Sequence, residues 1–140
     1  MRLELTRKAE LAIRAMRSLG DNEELVPGPE LAQRLEVSIH YLPQIMHPLV
    51  KAGWVHSTPG KHGGYRRKAS LASVSALQLI EAVEGATDTG RCVLKGGPCP
   101  DDEVCALHLA WSRARAALMA ELGRTSLAEA IRAGSPLEGG

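Results

Sequence analysis

Residues 30–67, ELAQRLEVSIHYLPQIMHPLVKAGWVHSTPGKHGGYRR, decide the fold of this 140-residue chain. Pro29 is well placed to begin a helix over Glu30–Leu35, because proline is common in the first helical turn. After a short turn, Ser38 can cap a second helix that runs to about Ala52 and ends at Gly53. A helix, a short turn and a capped helix form the helix-turn-helix arrangement.

A β-hairpin is predicted directly after these helices. Residues 54–57 and 65–67 are typical of two short strands, and residues 58–64 form a glycine-containing turn between them. Such a hairpin is the wing of a winged helix. Further helices are expected at 6–19, 75–84, 104–122 and 125–133, and the long one carries an apolar stripe. The expected fold class is mainly α with a small β-hairpin wing.

Composition narrows the class of protein. The chain is 44% hydrophobic and 24% charged, which is ordinary for a globular domain, but it has no Phe and only two Trp and two Tyr. No apolar run approaches the roughly 20 residues that span a bilayer, and no secretory segment begins the chain. We therefore expect a cytoplasmic protein without a membrane partner. No nucleophile–base pair or phosphate-binding glycine motif appears, so an enzyme is the least expected class.

The net charge of +1 hides an uneven distribution. Residues 1–70 hold 11 Lys and Arg against 7 Asp and Glu, whereas residues 71–140 hold 6 against 9. Between Val37 and Ser70 no acidic residue occurs, and the stretch contains five basic ones: Lys51, Lys61, Arg66, Arg67 and Lys68. A basic stretch in a near-neutral chain is typical of a surface that binds a polyanion such as double-stranded DNA.

The helix-turn-helix hypothesis assigns candidate DNA contacts. Side chains in the first turns of the second helix can reach base edges or phosphates, and wing side chains can reach the adjacent backbone or minor groove. The candidates are Ser38, His40, Tyr41 and Gln44 in the helix, and Lys61, His62 and Arg66 in the wing, where Gly63 and Gly64 permit close approach.

Two alternatives stay open at this point. The same unit can be a protein-interaction module, with Tyr41 packed inward beside Leu42. Pro43 and Pro48 also lie inside the proposed recognition helix, where a proline costs on the order of 3 kcal/mol.

Three cysteines form a second candidate site. Cys92, Cys99 and Cys105 lie within fourteen positions of a loop rich in glycine and proline, and His108 follows Cys105 by three residues. That spacing is one helical turn, so both side chains are expected to face the same way at the start of the long helix. Thiolates grouped in this way suit zinc or an iron–sulfur cluster, and the wide gaps favour a cluster over zinc knuckles. The alternative is a set of metal-free, redox-sensing thiols.

Several of these stretches resemble one family, the IscR/NsrR/RsrR family of bacterial winged-helix iron–sulfur transcriptional regulators, which also includes RirA and CymR. Met1–Leu3 and Ala12–Ala15 are similar to its first helix, Val37–Ser38 with Tyr41–Leu42 to its recognition helix, and Lys51–Val55 to the exit from that helix. Residues 57–65, with Gly60, Gly63 and Gly64, resemble its wing, 82–85 its stop before the cluster loop, and the three cysteines its ligand pattern.

The resemblance implies a homodimeric transcription regulator that binds a DNA operator and senses redox state, nitric oxide or iron–sulfur status through its cluster. It implies a winged helix-turn-helix domain over residues 1–85, a cluster-binding loop over 86–104, and a dimerisation helix with a C-terminal tail over 105–140. The fourth ligand is His108 in the IscR-like arrangement, which goes with a 2Fe–2S cluster. Glu10 is the alternative, and 4Fe–4S remains open as cluster type.

Overall fold

Six helices and one two-stranded hairpin make up the part of the chain that the computed structural model describes, residues 1–100 and 103–134. The elements in chain order are α1 (Arg7–Ser18), α2 (Gly28–Leu35), α3 (Leu42–Lys51), β1 (Val55–Thr58), β2 (Gly64–Arg67), a 3-10 turn (Leu71–Ser73), α4 (Ala76–Glu84), α5 (His108–Gly123) and α6 (Leu127–Ala133). The predicted fold class is confirmed. Residues 101–102 of the predicted loop and 135–140 of the predicted tail lie outside the described residues.

Helix α1 lies at the centre and packs against α2, α3 and α4. Its Leu11, Ala15 and Met16 are fully buried, and each large apolar side chain buried in this way contributes about 1.5–3 kcal/mol. Thr6 caps its first turn by accepting a hydrogen bond from the Ala9 N–H at 3.2 Å. The predicted helix over 6–19 is thus present with nearly the expected bounds.

The recognition helix begins later than expected. Ser38 does not cap α3 itself but a single preceding turn, in which its Oγ accepts from the Tyr41 N–H at 3.1 Å. Helix α3 starts at Leu42, so that Pro43 falls in the first turn, where no backbone donor is needed. Pro48 lies inside α3, which nevertheless continues to Lys51. Pro43 is therefore compatible with the start of α3, and Pro48 does not end the helix.

The wing is an antiparallel pair in which Val55 lies opposite Arg67 and Thr58 opposite Gly64. Val26, from the segment between α1 and α2, adds a one-residue bridge: its N–H donates to the Tyr65 carbonyl at 2.8 Å and its carbonyl accepts from the Tyr65 N–H at 2.9 Å. A Cβ at Gly63 would overlap the Thr58 carbonyl, and one at Gly64 the Val26 carbonyl. The glycines are thus required by contacts within the protein, whereas the sequence argument assigned them to DNA approach.

A capping box and two backbone hydrogen bonds fix the start of α4 in the second half of the chain. Ser75 and Gln78 form a capping box at the start of α4. Backbone bonds of 2.8 Å from Ala76 to the Thr125 carbonyl and from Leu127 to the Val74 carbonyl tie this start to α6. Helix α5 lies between α4 and α6 in the chain and has 16 residues, none of which is buried. No described helix is long and apolar enough to cross a membrane.

The long helix was predicted from Val104, but it begins at His108. Residues 105–107 instead form a turn closed by a 3.1 Å bond from the His108 N–H to the Cys105 carbonyl. Cys105 therefore lies in the turn before the helix, and the expected helix start at Val104 is wrong. The turn allows the Cys105 thiol to face the other two cysteines of the loop.

Replacing Gly63 by alanine should lower the free energy of unfolding by about 1–3 kcal/mol, because the new methyl group overpacks against the Thr58 backbone. Chemical denaturation monitored by circular dichroism measures this loss. Gly97→Ala is the matched control, since a Cβ at Gly97 meets nothing within 4 Å. Equal stabilities of the two variants would contradict the tight packing at the wing.

Candidate functional site

The exposed face of α3 is the first candidate surface. Leu42, Ile45 and Leu49 are buried, which leaves Gln44, His47 and Lys51 exposed on the opposite side. Gln44 belongs to the predicted DNA contacts, and its amide can bond an adenine edge. His47 and Lys51 were not among them, although their spacing of three and seven residues from Gln44 places all three on one helical face. Helical periodicity is the signal that identifies them.

The turn before α3 carries the other predicted helix contacts. Ser38 and His40 are exposed, and the Ser38 hydroxyl can still donate a proton after accepting from Tyr41. Tyr41 is only half-buried and packs against the core cluster. Its ring therefore supports α3 from inside, as the alternative for this residue anticipated, while part of the side chain stays accessible.

The wing carries the remaining candidates. Lys61 and His62 are exposed at the tip, and Arg66 lies half-buried in β2 opposite His56. Arg67, which the sequence argument counted in the basic surface, is buried, with only 4% of its side chain exposed. Alternation along β2 explains the difference, because Arg66 and Arg67 must point to opposite faces. Lys51, Lys61 and Lys68 provide the fully exposed positive charge of this stretch.

The three cysteines come together in the loop between α4 and α5. Their Sγ atoms all lie within 4.8 Å of one another, and they are free thiols. The loop folds back on itself through two backbone bonds, from Cys92 to the Gly97 carbonyl at 2.6 Å and from Gly96 to the Cys92 carbonyl at 3.0 Å. Gly96 has a φ of +76°, a conformation that favours glycine. The folding of this loop thus brings the three thiols close together in space.

The Cys92 and Cys99 thiols differ in pKa because their surroundings differ. The N–H groups of Lys95 and Leu94 each lie 3.3 Å from Cys92 Sγ and donate to it, which lowers the Cys92 pKa to about 7. At Cys99 the backbone of Cys105 favours the thiolate, but the neighbouring Cys92 thiol, burial and the Cys105 thiol outweigh it and raise the Cys99 pKa. The Cys92 thiol therefore ionises at a lower pH than the Cys99 thiol.

A cavity of about 300 Å³ adjoins the thiols. His108 lies in its wall, exposed at the first position of α5, together with Trp111 and Ser112. Charged residues that the sequence argument did not single out also line it: Asp88, Arg91 and Arg115. Arg115 and Asp88 approach each other at 3.5 Å and thereby connect the loop to α5.

Glu10 is not among the residues that line this cavity. Its carboxylate is 3.9 Å from the Arg14 guanidinium and 4.0 Å from that of Arg7. Among the described residues, the sulfur atoms of the three cysteines lie close enough together to hold one ion. His108 and Glu10 do not belong to this group. Of the two predicted fourth ligands, His108 lines the same cavity as the three thiols and Glu10 is not among its lining residues.

The donor set fits a thiolate-bound metal centre. Three soft sulfur ligands, two N–H groups directed at one sulfur and an adjoining cavity are the features expected around an iron–sulfur cluster or another thiophilic metal. Asp and Glu side chains do not complete a hard oxygen site among the described residues of this cavity, where Asp88 is paired with Arg115.

A winged helix with an acid-free basic surface, joined to a three-thiol pocket, is the architecture of a DNA-binding transcription regulator with a cysteine-based site. Residues 5–133 match the Rrf2 family, described as "Iron-dependent Transcriptional regulator", and the chain belongs to that family. The prediction of a regulator and not an enzyme is confirmed, as is the family resemblance.

Individual relatives agree with this membership. The chain is 32% identical over 131 residues to the HTH-type transcriptional regulator IscR of Klebsiella pneumoniae (strain 342), covering 92% of this chain and 80% of that protein, and equally similar to IscR of Escherichia coli (strain K12 / DH10B). Among solved structures, CymR, the global cysteine regulator of B. subtilis, superposes with a TM-score of 0.70 at 25% identity, covering 96% of this chain and all of that one. T. potens IscR, at 20% identity, superposes with a TM-score of 0.67 over 95% and 89% of the two chains and shows the shared fold.

In the metal-free, reduced protein, Cys92 should be alkylated by iodoacetamide with a rate that rises as the pH passes through about 7, because deprotonation creates the reactive thiolate. Cys99 should require a higher pH. Mass spectrometry of each cysteine after timed quenching gives the two pH midpoints. The denatured chain is the control, since all three thiols there should share an ordinary pKa of about 8.5. A Cys92 midpoint at or above that of Cys99 would contradict the assignment.

Proposed function

We propose that the protein is a homodimeric transcription regulator whose operator binding is controlled by an iron–sulfur cluster in the cysteine pocket. The observation that carries the proposal is the approach of three free thiol sulfurs to within 4.8 Å of one another in a winged-helix regulator. The signal would be redox state, nitric oxide or iron–sulfur status. A 2Fe–2S cluster is the favoured form, and 4Fe–4S is the alternative.

Cys92, Cys99 and Cys105 would hold the cluster, and His108 is the favoured fourth ligand because it lines the same cavity. Glu10 does not line this cavity, so it is the alternative ligand if the dimer brings α1 of one protomer to the loop of the other. When bound, a cluster supplies iron and sulfide that change charge, or are lost, on reaction with oxidants or nitric oxide. The Leu94 and Lys95 N–H groups would stabilise negative charge on the Cys92 sulfur.

The loop is joined to the helices on both sides, which supports coupling to the rest of the molecule. The Glu81 carboxylate of α4 accepts a 2.6 Å bond from the Thr87 N–H, and Asp88 pairs with Arg115 of α5. A change in loop conformation would therefore act on both helices. Such a change shifts the balance between DNA-competent and incompetent conformations only if the two differ in loop geometry.

An uncovered apolar helix supports the homodimer. None of the 16 residues of α5 is buried, and Leu109 and Leu118 are 58% and 45% exposed. Met1 and Leu3, which lie alongside α5 in a shared groove, are also exposed. A soluble chain seldom leaves a long apolar helix in water, so a second copy is the occupant we propose. Two winged helices in one dimer would contact two half-sites of an operator.

Anaerobically purified protein should be brown, with visible absorption and acid-labile sulfide, because the three thiols bind a cluster. Cys99→Ala should abolish the absorption, and His108→Ala should change its shape more than Glu10→Ala does. His62→Ala, at the wing tip, is the matched histidine control and should leave the spectrum unchanged. Colourless protein without sulfide would contradict cluster binding, and identical DNA affinities of the triple Cys→Ala protein and the cluster-loaded protein would contradict coupling.

Substituting Lys61 or Arg66 by alanine should weaken DNA binding at every sequence and lower the slope of log affinity against log salt by about 1, because each residue neutralises one phosphate. The probe is a duplex selected from a random-sequence library on the wild-type protein, titrated by fluorescence anisotropy at several salt concentrations. Arg132→Ala removes an exposed charge from α6, outside the wing, and serves as control. Unchanged slopes in both wing variants would count against the wing contact.

A metal-free thiol switch is the second candidate. It is favoured by the similarity to CymR, of which an oxidised form from Staphylococcus aureus superposes with a TM-score of 0.67 at 25% identity over 91% of this chain and 94% of that one. Here two of the three thiols would pass two electrons and two protons to a peroxide, which is reduced to water, and would form a disulfide. Colourless protein whose DNA affinity changes on peroxide treatment and recovers with a dithiol reductant would establish this function.

A further inference from the structure

We propose that Arg67 is a positioning residue that fastens the wing to the C-terminal end of α1, so that α1 carries changes at the cysteine loop to the wing. The claim that α1 transmits changes from the cysteine loop rests on the cluster-controlled function proposed above. Arg67 differs in this from Lys61 and Arg66, which are candidates for direct contact with DNA.

The contacts of Arg67 carry the first step. Its Nε donates to the Leu19 carbonyl at 2.9 Å, and its Nη2 donates to the Asp21 carboxylate. Leu19 caps the C-terminus of α1, where unpaired carbonyls and the helix dipole favour a positive charge. The guanidinium therefore bonds the wing strand β2 to a helix that lies 48 residues earlier in the chain.

Burial makes this attachment specific. Only 4% of the Arg67 side chain is exposed, and among the described residues its Nη1 is enclosed without a hydrogen-bond partner. A buried guanidinium with one free nitrogen depends strongly on its two remaining acceptors, because charge without partners is costly to bury. A different wing orientation would have to break both bonds. Arg67 thus holds the wing in one orientation relative to α1.

The same segment holds the wing by its backbone. Val26 exchanges two hydrogen bonds with Tyr65, next to the Gly64 position that leaves no room for a side chain. Arg67 and Tyr65 are two residues apart on β2, so the residues after α1 support the strand at two points. The hairpin tip, with Lys61 and His62, extends away from this base. A small rotation at the base would therefore displace the tip by a larger distance.

The opposite end of α1 contacts the structure that leads into the cysteine loop. The Thr6 N–H donates to the Glu84 carboxylate at 3.1 Å, and Glu84 is the last residue of α4. One turn earlier, Glu81 binds the Thr87 N–H at the start of the loop. Helix α1 has 12 residues and so spans about 18 Å as a single rigid element. It joins the entry to the loop at one end to Arg67 at the other.

Arg34 provides the matched control. Its Nη1 donates to the Ser18 carbonyl at 2.9 Å, so it caps the same end of α1, but it lies on α2 and pairs with Glu30 at 2.7 Å. Removing Arg34 disturbs the helix end without releasing the wing. Asp21→Asn is the milder test of the proposal, because it weakens the Arg67 contact while the Asp21 side chain is 93% exposed and the buried arginine is retained.

The experiment compares wild type, Arg67→Lys, Asp21→Asn and Arg34→Met. For each, the Kd for the selected duplex is measured with cluster-loaded and cluster-free protein at several salt concentrations, and the Tm is recorded. We expect the ratio of the two Kd values, about 5- to 150-fold for typical coupling, to fall towards 1 in Arg67→Lys and substantially in Asp21→Asn. Arg34→Met should keep the wild-type ratio.

The salt slope of Arg67→Lys should also fall, although its net charge is unchanged, because the wing contacts are misplaced.

Each of the other possible outcomes contradicts one stated part of the proposal. Equal weakening of both forms, with an unchanged ratio and salt slope in Arg67→Lys and Asp21→Asn, would make the contact merely structural and overturn the proposal. If Arg67→Lys fails to fold, Asp21→Asn alone decides. A wild-type ratio of 1 would refute the cluster-controlled function and with it the coupling step. In that case the salt slope still decides whether Arg67 positions the wing.

Discussion

The burial of Leu11, Ala15 and Met16 of α1 among α2, α3 and α4 is the packing on which both functional surfaces depend. It sets the angle at which α3 presents Gln44, His47 and Lys51, because the buried face of α3 contributes Ile45 and Leu49 to the same core. The two ends of α1 then hold the wing, through Leu19, and the end of α4, through Thr6. One buried helix therefore positions the DNA-facing elements and touches the entry to the cysteine loop.

The cysteine loop is built by different forces. Its residues bury little apolar surface, and it is held by backbone bonds, by N–H donors to Cys92 and by the Asp88–Arg115 pair. Interactions of this kind are individually weak, so the loop is held less firmly than the winged helix. A region of low local stability between two helices is one whose conformation small changes can alter. The family described as iron-dependent regulators is consistent with that arrangement.

Much of the architecture was predictable from local signals. Apolar periodicity and the glycine-containing turn at 58–64 located α1, α4 and the wing to within a few residues, since each depends on neighbours in sequence. The starts of α3 and α5 were placed too early. Ser38 does cap a turn, but this is a single turn that precedes α3. In α5, the apolar pattern continues upstream into residues that form a turn of the loop and not the helix. Helix boundaries of this kind are decided by tertiary contacts that periodicity does not report.

The sequence by itself determined the helix-turn-helix and wing, the acid-free basic stretch and the presence of three clustered cysteines, because composition, spacing and caps are local properties. Only the tertiary structure decided which of these residues act together. It buried Arg67 while exposing Lys61, and it brought Asp88 and Arg115 to the cysteine pocket. It also paired Glu10 with Arg7 and Arg14 and left it out of the lining of the cysteine cavity. Burial and pairing depend on segments that are distant in sequence, such as Leu19 and Arg67, whose contact no local pattern encodes.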